Sequence, residues 1–167
     1  MTVNDKRRMP LMGLRWWIIS LVTIGTILNY LARSSLSVAA PTLMEVFGMS
    51  TQQYSWVVFS FQATYTVRQT FSGAILDGPG PRLGFAIFVV GWGFANMCHA
   101  FATGWFSLAF WRGLLGSFEA AAIPGGLKVV SEWFPPRERT VATGVFNMGA
   151  SIGNMIAPAL VAFCILY

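Results

Sequence analysis

The chain has 167 residues, of which 55% are hydrophobic and only 10% charged, with a formal net charge of +5. A mean hydropathy of +0.60 is too apolar for a soluble domain and points to the lipid bilayer as solvent. The positive balance does not mark a nucleic-acid binder, because no basic run alternates with polar or aromatic contact residues.

Residues 1–15 open with MTVNDKRRMP, which is basic, and no short cleavable apolar core with a small-residue cleavage site follows. They read as a cytoplasmic N-terminal segment ahead of a retained anchor. Hydropathy then predicts a helical bundle over 16–167, with spans at about Trp16–Ala40, Tyr54–Leu76, Leu83–Thr103, Trp105–Val130 and Val141–Tyr167. Each is long enough for ~30 Å of hydrocarbon at ~1.5 Å per residue. Helices are the expected form, because lipid offers no partner to unpaired backbone groups. Lys6, Arg7, Arg8 and Arg15 precede span one, Arg82 lies between spans two and three, and Arg137 and Arg139 lie between four and five. Thr42–Gln53 and the turn near Gly104 hold no Lys or Arg, so the N-terminus is expected in the cytoplasm. The chain reads as truncated before a sixth helix.

Polar residues inside the spans carry the functional signal. Thr26, Asn29, Tyr30, Arg33 and Ser37 recur at three- and four-residue steps along span one and share a face. Gln62, Tyr65, Gln69 and Ser72 do the same in span two, and Thr143, Asn147, Ser151, Asn154 and Pro158 in span five. Span four carries Arg112 and Glu119, two turns apart on one face. Span three has no such stripe and reads as peripheral, with Asn96 and His99 near its outer end. Thr26, Ser37, Ser72 and Ser151 suit interhelical hydrogen bonds, and Gly149-Ala-Ser-Ile-Gly153 suits close helix packing. Ionisable groups are different. Arg33 lies deep in span one, where a guanidinium costs at least about 2.5–3.5 kcal/mol, so a cavity or partner must offset it. Arg112 is compatible with a fixed partner such as Glu119. Arg68, about 22 Å into span two, either adds a second cation to the cavity beside Tyr65 and Gln69 or snorkels to water. One histidine and two isolated cysteines, Cys98 and Cys164, form no nucleophile–base pair, disulfide framework or metal cluster. No enzyme is expected, and no metal or other cofactor.

The segment GAILDGPGPR between spans two and three is a helix end, a Gly/Pro turn and an acid–base pair at a membrane surface. It resembles the loop signature of the major facilitator superfamily, with Gly73, Asp77, Gly80 and Arg82 on its positions and Gly78 where a basic residue is usual. NYLARSSLSVAAPTLMEVFGMSTQQYS and RGLLGSFEAAAIPGGLKVVSEWFPPRERTVATGVFNMGASIGNMIAPAL resemble the anion:cation symporters, and among them the hexuronate transporters. The resemblance implies an all-α membrane protein, an incomplete N-terminal six-helix bundle of a twelve-span carrier in a bacterial inner membrane. It implies proton-coupled uptake of hexuronates or related sugar acids, with protons and the organic anion as partners. On this reading Arg33 pairs with the substrate carboxylate, and Tyr30, Gln62, Tyr65 and Asn147 join it in binding. Glu119 exchanges the proton, while Gly73, Asp77, Gly80, Arg82 and Arg112 serve gating. Ala32 stands where many such relatives carry an acid, and Ala150 where sugar-acid relatives of the galactonate type carry a glutamine. A full pathway would need the C-terminal half or another copy of the chain, so this stretch is expected to be inactive alone.

Overall fold

A computed structural model describes the backbone of residues 9–77 and 81–166, and the side chains of 13–73 and 83–165. Among the described residues six α-helices follow one another: α1 (Met9–Val46), α2 (Thr51–Asp77), α3 (Pro81–Cys98), α4 (Trp105–Glu119), α5 (Ala122–Trp133) and α6 (Arg139–Leu166). A 3₁₀ turn, His99–Phe101, extends α3.

The turn between α1 and α2 is explicit in the sequence. Gly48 takes φ of 58° and ends α1, with the Met49 amide donating back to the Met44 carbonyl at 2.9 Å. Ser50 then caps α2: its Oγ accepts from the Gln53 amide at 3.2 Å, and Gln53 Oε1 accepts from the Ser50 amide at 2.9 Å. The single long span expected over Trp105–Val130 is instead α4 and α5 with a two-residue break at Ala120 and Ala121. Pro124 is the physical reason. Its nitrogen carries no hydrogen to donate to the Ala120 carbonyl one turn back.

Two parallel helix pairs organise the molecule. Along α1 and α6, Thr23 meets Gly149 and Ile27 and Tyr30 meet Gly153, so the two helices run in the same direction. A Cβ at Gly153 would lie 2.5 Å from the Ile27 carbonyl oxygen and 3.0 Å from Tyr30 Cβ; only glycine permits this approach. Ser34 of α1 also donates to Asn154 Oδ1 of α6. Along α2 and α4, the Ser60 hydroxyl donates to the Ala109 carbonyl and the Thr64 hydroxyl to the Gly113 carbonyl, both at 2.8 Å. Gly116 completes this second seam, since a Cβ there would meet the Phe61 carbonyl oxygen at 2.5 Å. The expected interhelical role of Thr26 and Ser72 is corrected here. Thr26 donates to the Val22 carbonyl and Ser72 to that of Gln69, each within its own helix. Ser37 and Ser151 are exposed.

Outward faces are apolar. Leu83, Ile87, Val90, Phe94 and Met97 of α3 are exposed at three- and four-residue steps, while Phe88, Trp92, Ala95 and Cys98 are buried against the bundle. Trp17, Leu21, Ile24 and Leu28 form a similar outward stripe on α1. Such stripes would aggregate in water and are satisfied by lipid. Among the described residues, Gly13–Val46, Leu83–Phe101 and Arg139–Ile165 are long and apolar enough to cross a membrane. That is three segments where hydropathy gave five. With 27 residues, α2 has the length but carries the polar face with Tyr65, Arg68 and Gln69, and the break leaves α4 and α5 at 15 and 12 residues.

Candidate functional site

The junction of the two helix pairs holds a cation surrounded by rings. Arg33 leaves α1 and places its guanidinium carbon 5.3 Å from the Tyr30 ring centroid, 4.9 Å from that of Phe61 and 4.4 Å from that of Tyr65. Tyr30 is one turn earlier on α1, and Phe61 and Tyr65 are one turn apart on α2, so helical spacing puts each pair on one face of its helix. The Phe61 and Tyr65 rings stack, with centroids 5.8 Å apart and planes 16° from parallel. Guanidinium over an aromatic face gains quadrupole attraction while its N–H edge stays available.

Glu119, the last residue of α4, closes the cluster. Its carboxylate is 0% exposed, and Oε2 lies 3.5 Å from Arg33 Nε. That distance makes an ion pair but exceeds a good hydrogen bond, and neither Glu119 oxygen has a hydrogen-bond partner among the described residues. The Arg33 side chain keeps 27% of its surface open. A fully buried carboxyl beside a half-open cation is an unusual pairing, because a buried charge is costly unless well satisfied. The arrangement can receive an external carboxylate at Arg33. It also holds Glu119 in a place where gain or loss of a proton changes the charge opposite that site.

Arg112, two turns before Glu119 on α4, is 4% exposed and stands 6.0 Å from the Phe61 centroid. Its Nε has no hydrogen-bond partner among the described residues. It lines a cavity of about 390 Å³ shared with Ser35, Asn96, His99 and Cys164. The His99 Nδ1 lies 2.7 Å from the Ala95 carbonyl one turn back, while its Nε2 has no hydrogen-bond partner among the described residues. A second, mostly apolar hollow of about 800 Å³ lies between α1, α3 and α5.

The structure therefore brings together Tyr30, Arg33, Tyr65 and Glu119, with Arg112 beside them. It does not bring Gln62 or Asn147 into the ring cluster; both are exposed, on α2 and α6. Gly73 is exposed on α2 with open space at its Cα. Gly80 and the side chains of Asp77 and Arg82 lie outside the described residues. Arg68 is half-buried, and its Nε has no hydrogen-bond partner among the described residues. Phe61 is the residue that sequence reasoning passed over. An apolar side chain adds nothing to a polar stripe, and the available signal was its position one turn before Tyr65.

A second Arg–Glu pair lies near the Met9 end. Arg15 Nη2 reaches Glu138 Oε2 at 2.8 Å and donates to Oε1 at 3.0 Å, while its Cζ stands 5.6 Å from the Phe134 centroid. Trp16 meets the same ring edge-on at 5.2 Å. Arg139 caps the end of α5 by donating to the carbonyls of Ser131 (2.8 Å) and Phe134 (3.0 Å).

The family model of the Major Facilitator Superfamily matches residues 22–167. The chain is 51% identical over 154 residues to a hexuronate transporter of Escherichia coli K12, covering 92% of this chain and 36% of that protein. A galacturonate transporter of Dickeya chrysanthemi is 50% identical, with 92% of this chain and 45% of that protein covered. The chain thus spans between a third and a half of the length of these relatives. Among solved structures, an inward-facing, unoccupied bacterial homologue of the human lysosomal transporter Spinster has a TM-score of 0.78 at 21% identity. The match covers 86% of this chain and 30% of that one, and supports the fold. The relatives are named as transporters, not as enzymes.

Proposed function

The chain belongs to the major facilitator superfamily and is a multi-pass membrane protein, and on that premise we propose that it forms the front part of a proton-coupled symporter for hexuronates or related sugar acids. The membrane is a bacterial inner membrane with the N-terminus in the cytoplasm, the side favoured by Arg15, Arg137 and Arg139. The observation that carries the reading is the half-open Arg33 guanidinium, held by three ring faces and only loosely paired to a fully buried Glu119. A guanidinium fork matches a carboxylate in a way that an ammonium does not. The names of the two relatives at 50–51% identity supply the substrate class.

In this mechanism the sugar-acid carboxylate docks on the Arg33 edge, with the Tyr30 and Tyr65 hydroxyls within the same cluster. Arrival of the anion competes with Glu119 for Arg33, and Glu119 responds by exchanging a proton, since burial and nearby charge together set its protonation. Asp77 and Arg82, with Gly73 and Gly80, latch the cytoplasmic surface, and Arg112 keeps α4 in register. Gln62 and Asn147 join the substrate only when the opposite wall of the pathway is present. That wall comes from the remainder of a full-length carrier or from another copy, with the site between two halves that rock about it.

The test is a chimera in which this chain replaces the matching part of the Escherichia coli hexuronate transporter, produced in cells lacking their own. Uptake of labelled glucuronate or galacturonate that depends on the proton gradient supports the reading. A chimera that reaches the membrane in normal amount and takes up neither sugar acid overturns it.

A further inference from the structure

We infer that Phe61 is a positioning residue of the anion site, the shared aromatic platform that fixes Arg33 and ties it to Arg112. This rests on the transport reading above and adds a residue to it. The Phe61 ring is within 4.9 Å of the Arg33 guanidinium carbon and 6.0 Å of that of Arg112, so one side chain stands against both cations of the site. Tyr30 and Tyr65 each bring a hydroxyl that can bond a substrate. Phe61 has none, and its means of acting on a cation is its face. That is a useful limitation. A ring engages the plane of a guanidinium without accepting from its N–H groups, so the fork stays free for a carboxylate.

Phe61 is itself held firmly. Its ring Cδ2 and its carbonyl oxygen occupy the space that a Cβ on Gly116 would need, at 3.2 and 2.5 Å. Hydrogen bonds on either side, Ser60 to Ala109 and Thr64 to Gly113, stitch the same stretch of α2 to α4. The side chain is 7% exposed and stacks on Tyr65. The α2–α4 seam thus sets the ring, and the ring sets the cations.

The experiment compares Phe61→Leu, Phe61→Tyr and Phe61→Trp in the hexuronate-transporter chimera, recording membrane-inserted protein and the KM and maximal rate of glucuronate uptake. Leucine keeps an apolar side chain and removes the ring face. KM is expected to rise about tenfold in Phe61→Leu, the effect of one desolvated cation–π contact, with the maximal rate per inserted molecule little changed. Phe61→Tyr and Phe61→Trp restore KM to within about threefold. Phe61→Met serves as a second ring-free variant should the leucine form fail to insert. An unchanged KM in the ring-free variants, or equal damage from leucine and tyrosine, overturns the inference while leaving the transport reading intact. An inactive parent chimera overturns both.

Discussion

Arg15 and Arg33 both lie on α1, both approach a glutamate from elsewhere in the chain, and both stand over aromatic rings. Their geometries differ in every other respect. Arg15 meets Glu138 at 2.8 Å with a hydrogen bond, beside one ring, near the end of the bundle, and Glu138 keeps 37% of its side chain exposed. Arg33 meets Glu119 at 3.5 Å, beside three rings, between the helix pairs, and Glu119 has no exposure. A pair that is close and hydrogen-bonded acts as a fastening. A loose pair around a buried carboxylate has unmet bonding capacity, and a ligand or a proton can take it up. The same two residue types thus make a clasp in one place and a receptor in the other.

The sharpest way to break the comparison is to alter each partner of the buried pair in the chimera. Glu119→Gln retains size and polarity but cannot exchange a proton, so proton-driven accumulation should vanish while counterflow persists. Arg33→Lys retains charge and loses the planar fork, so affinity should fall about tenfold or more, the worth of a charged hydrogen bond. If the pair were only structural, Glu119→Gln would leave Arg33 without its partner and inserted protein would fall, whereas Arg33→Lys would keep a cation opposite Glu119 and lose little of either inserted protein or affinity. Quantifying inserted protein, binding and accumulation for each variant separates the two outcomes.

Next in size is Gly153→Leu, which forces α1 away from α6 at the level of Tyr30. It should cost at least about 1–3 kcal/mol and reduce inserted protein, whereas Gly144→Leu, with open space at its Cα, should not. Exchanging charges gives a smaller but more diagnostic effect. Arg15→Glu combined with Glu138→Arg should recover the inserted protein that either single change loses. Arg33→Glu with Glu119→Arg should recover no uptake, because the cation would no longer face the substrate. The smallest effect is expected for Gln62→Ala in the chain as described, whose exposed side chain lies off the ring cluster. Its inserted amount should stay within the ±0.5 kcal/mol usual for surface changes.

The sequence announced the buried cluster by cost. An arginine and a glutamate inside apolar runs cannot be accidental, and helical periodicity placed Tyr30 with Arg33 and Arg112 with Glu119. It was silent on Phe61, because apolar residues in an apolar span look alike until a partner is placed on them. It also misdirected the hydroxyls. Thr26 and Ser72 satisfy themselves on their own helices, while Ser60 and Thr64, outside any stripe, cross to α4 because Gly113 and Gly116 bring its backbone within reach. The break in the fourth span was written in Pro124 but hidden by continuous hydropathy. Gln62 and Asn147 were placed by periodicity, which finds a face but not which neighbour covers it.

That break has a mechanical side. Glu119 is the last residue of α4, and Ala120 and Ala121 separate it from α5. A joint is the one place on a lever where angle changes and position does not. Tilting α5 by about 10° about the break would carry its far end, near Trp133, through about 3 Å, given its 12 residues at ~1.5 Å each. Glu119 would hardly move. The carboxyl group facing Arg33 would then sit at the fulcrum, and a tilt that displaced Phe134 and the Arg15–Glu138 clasp would leave the alignment of charges at the centre in place.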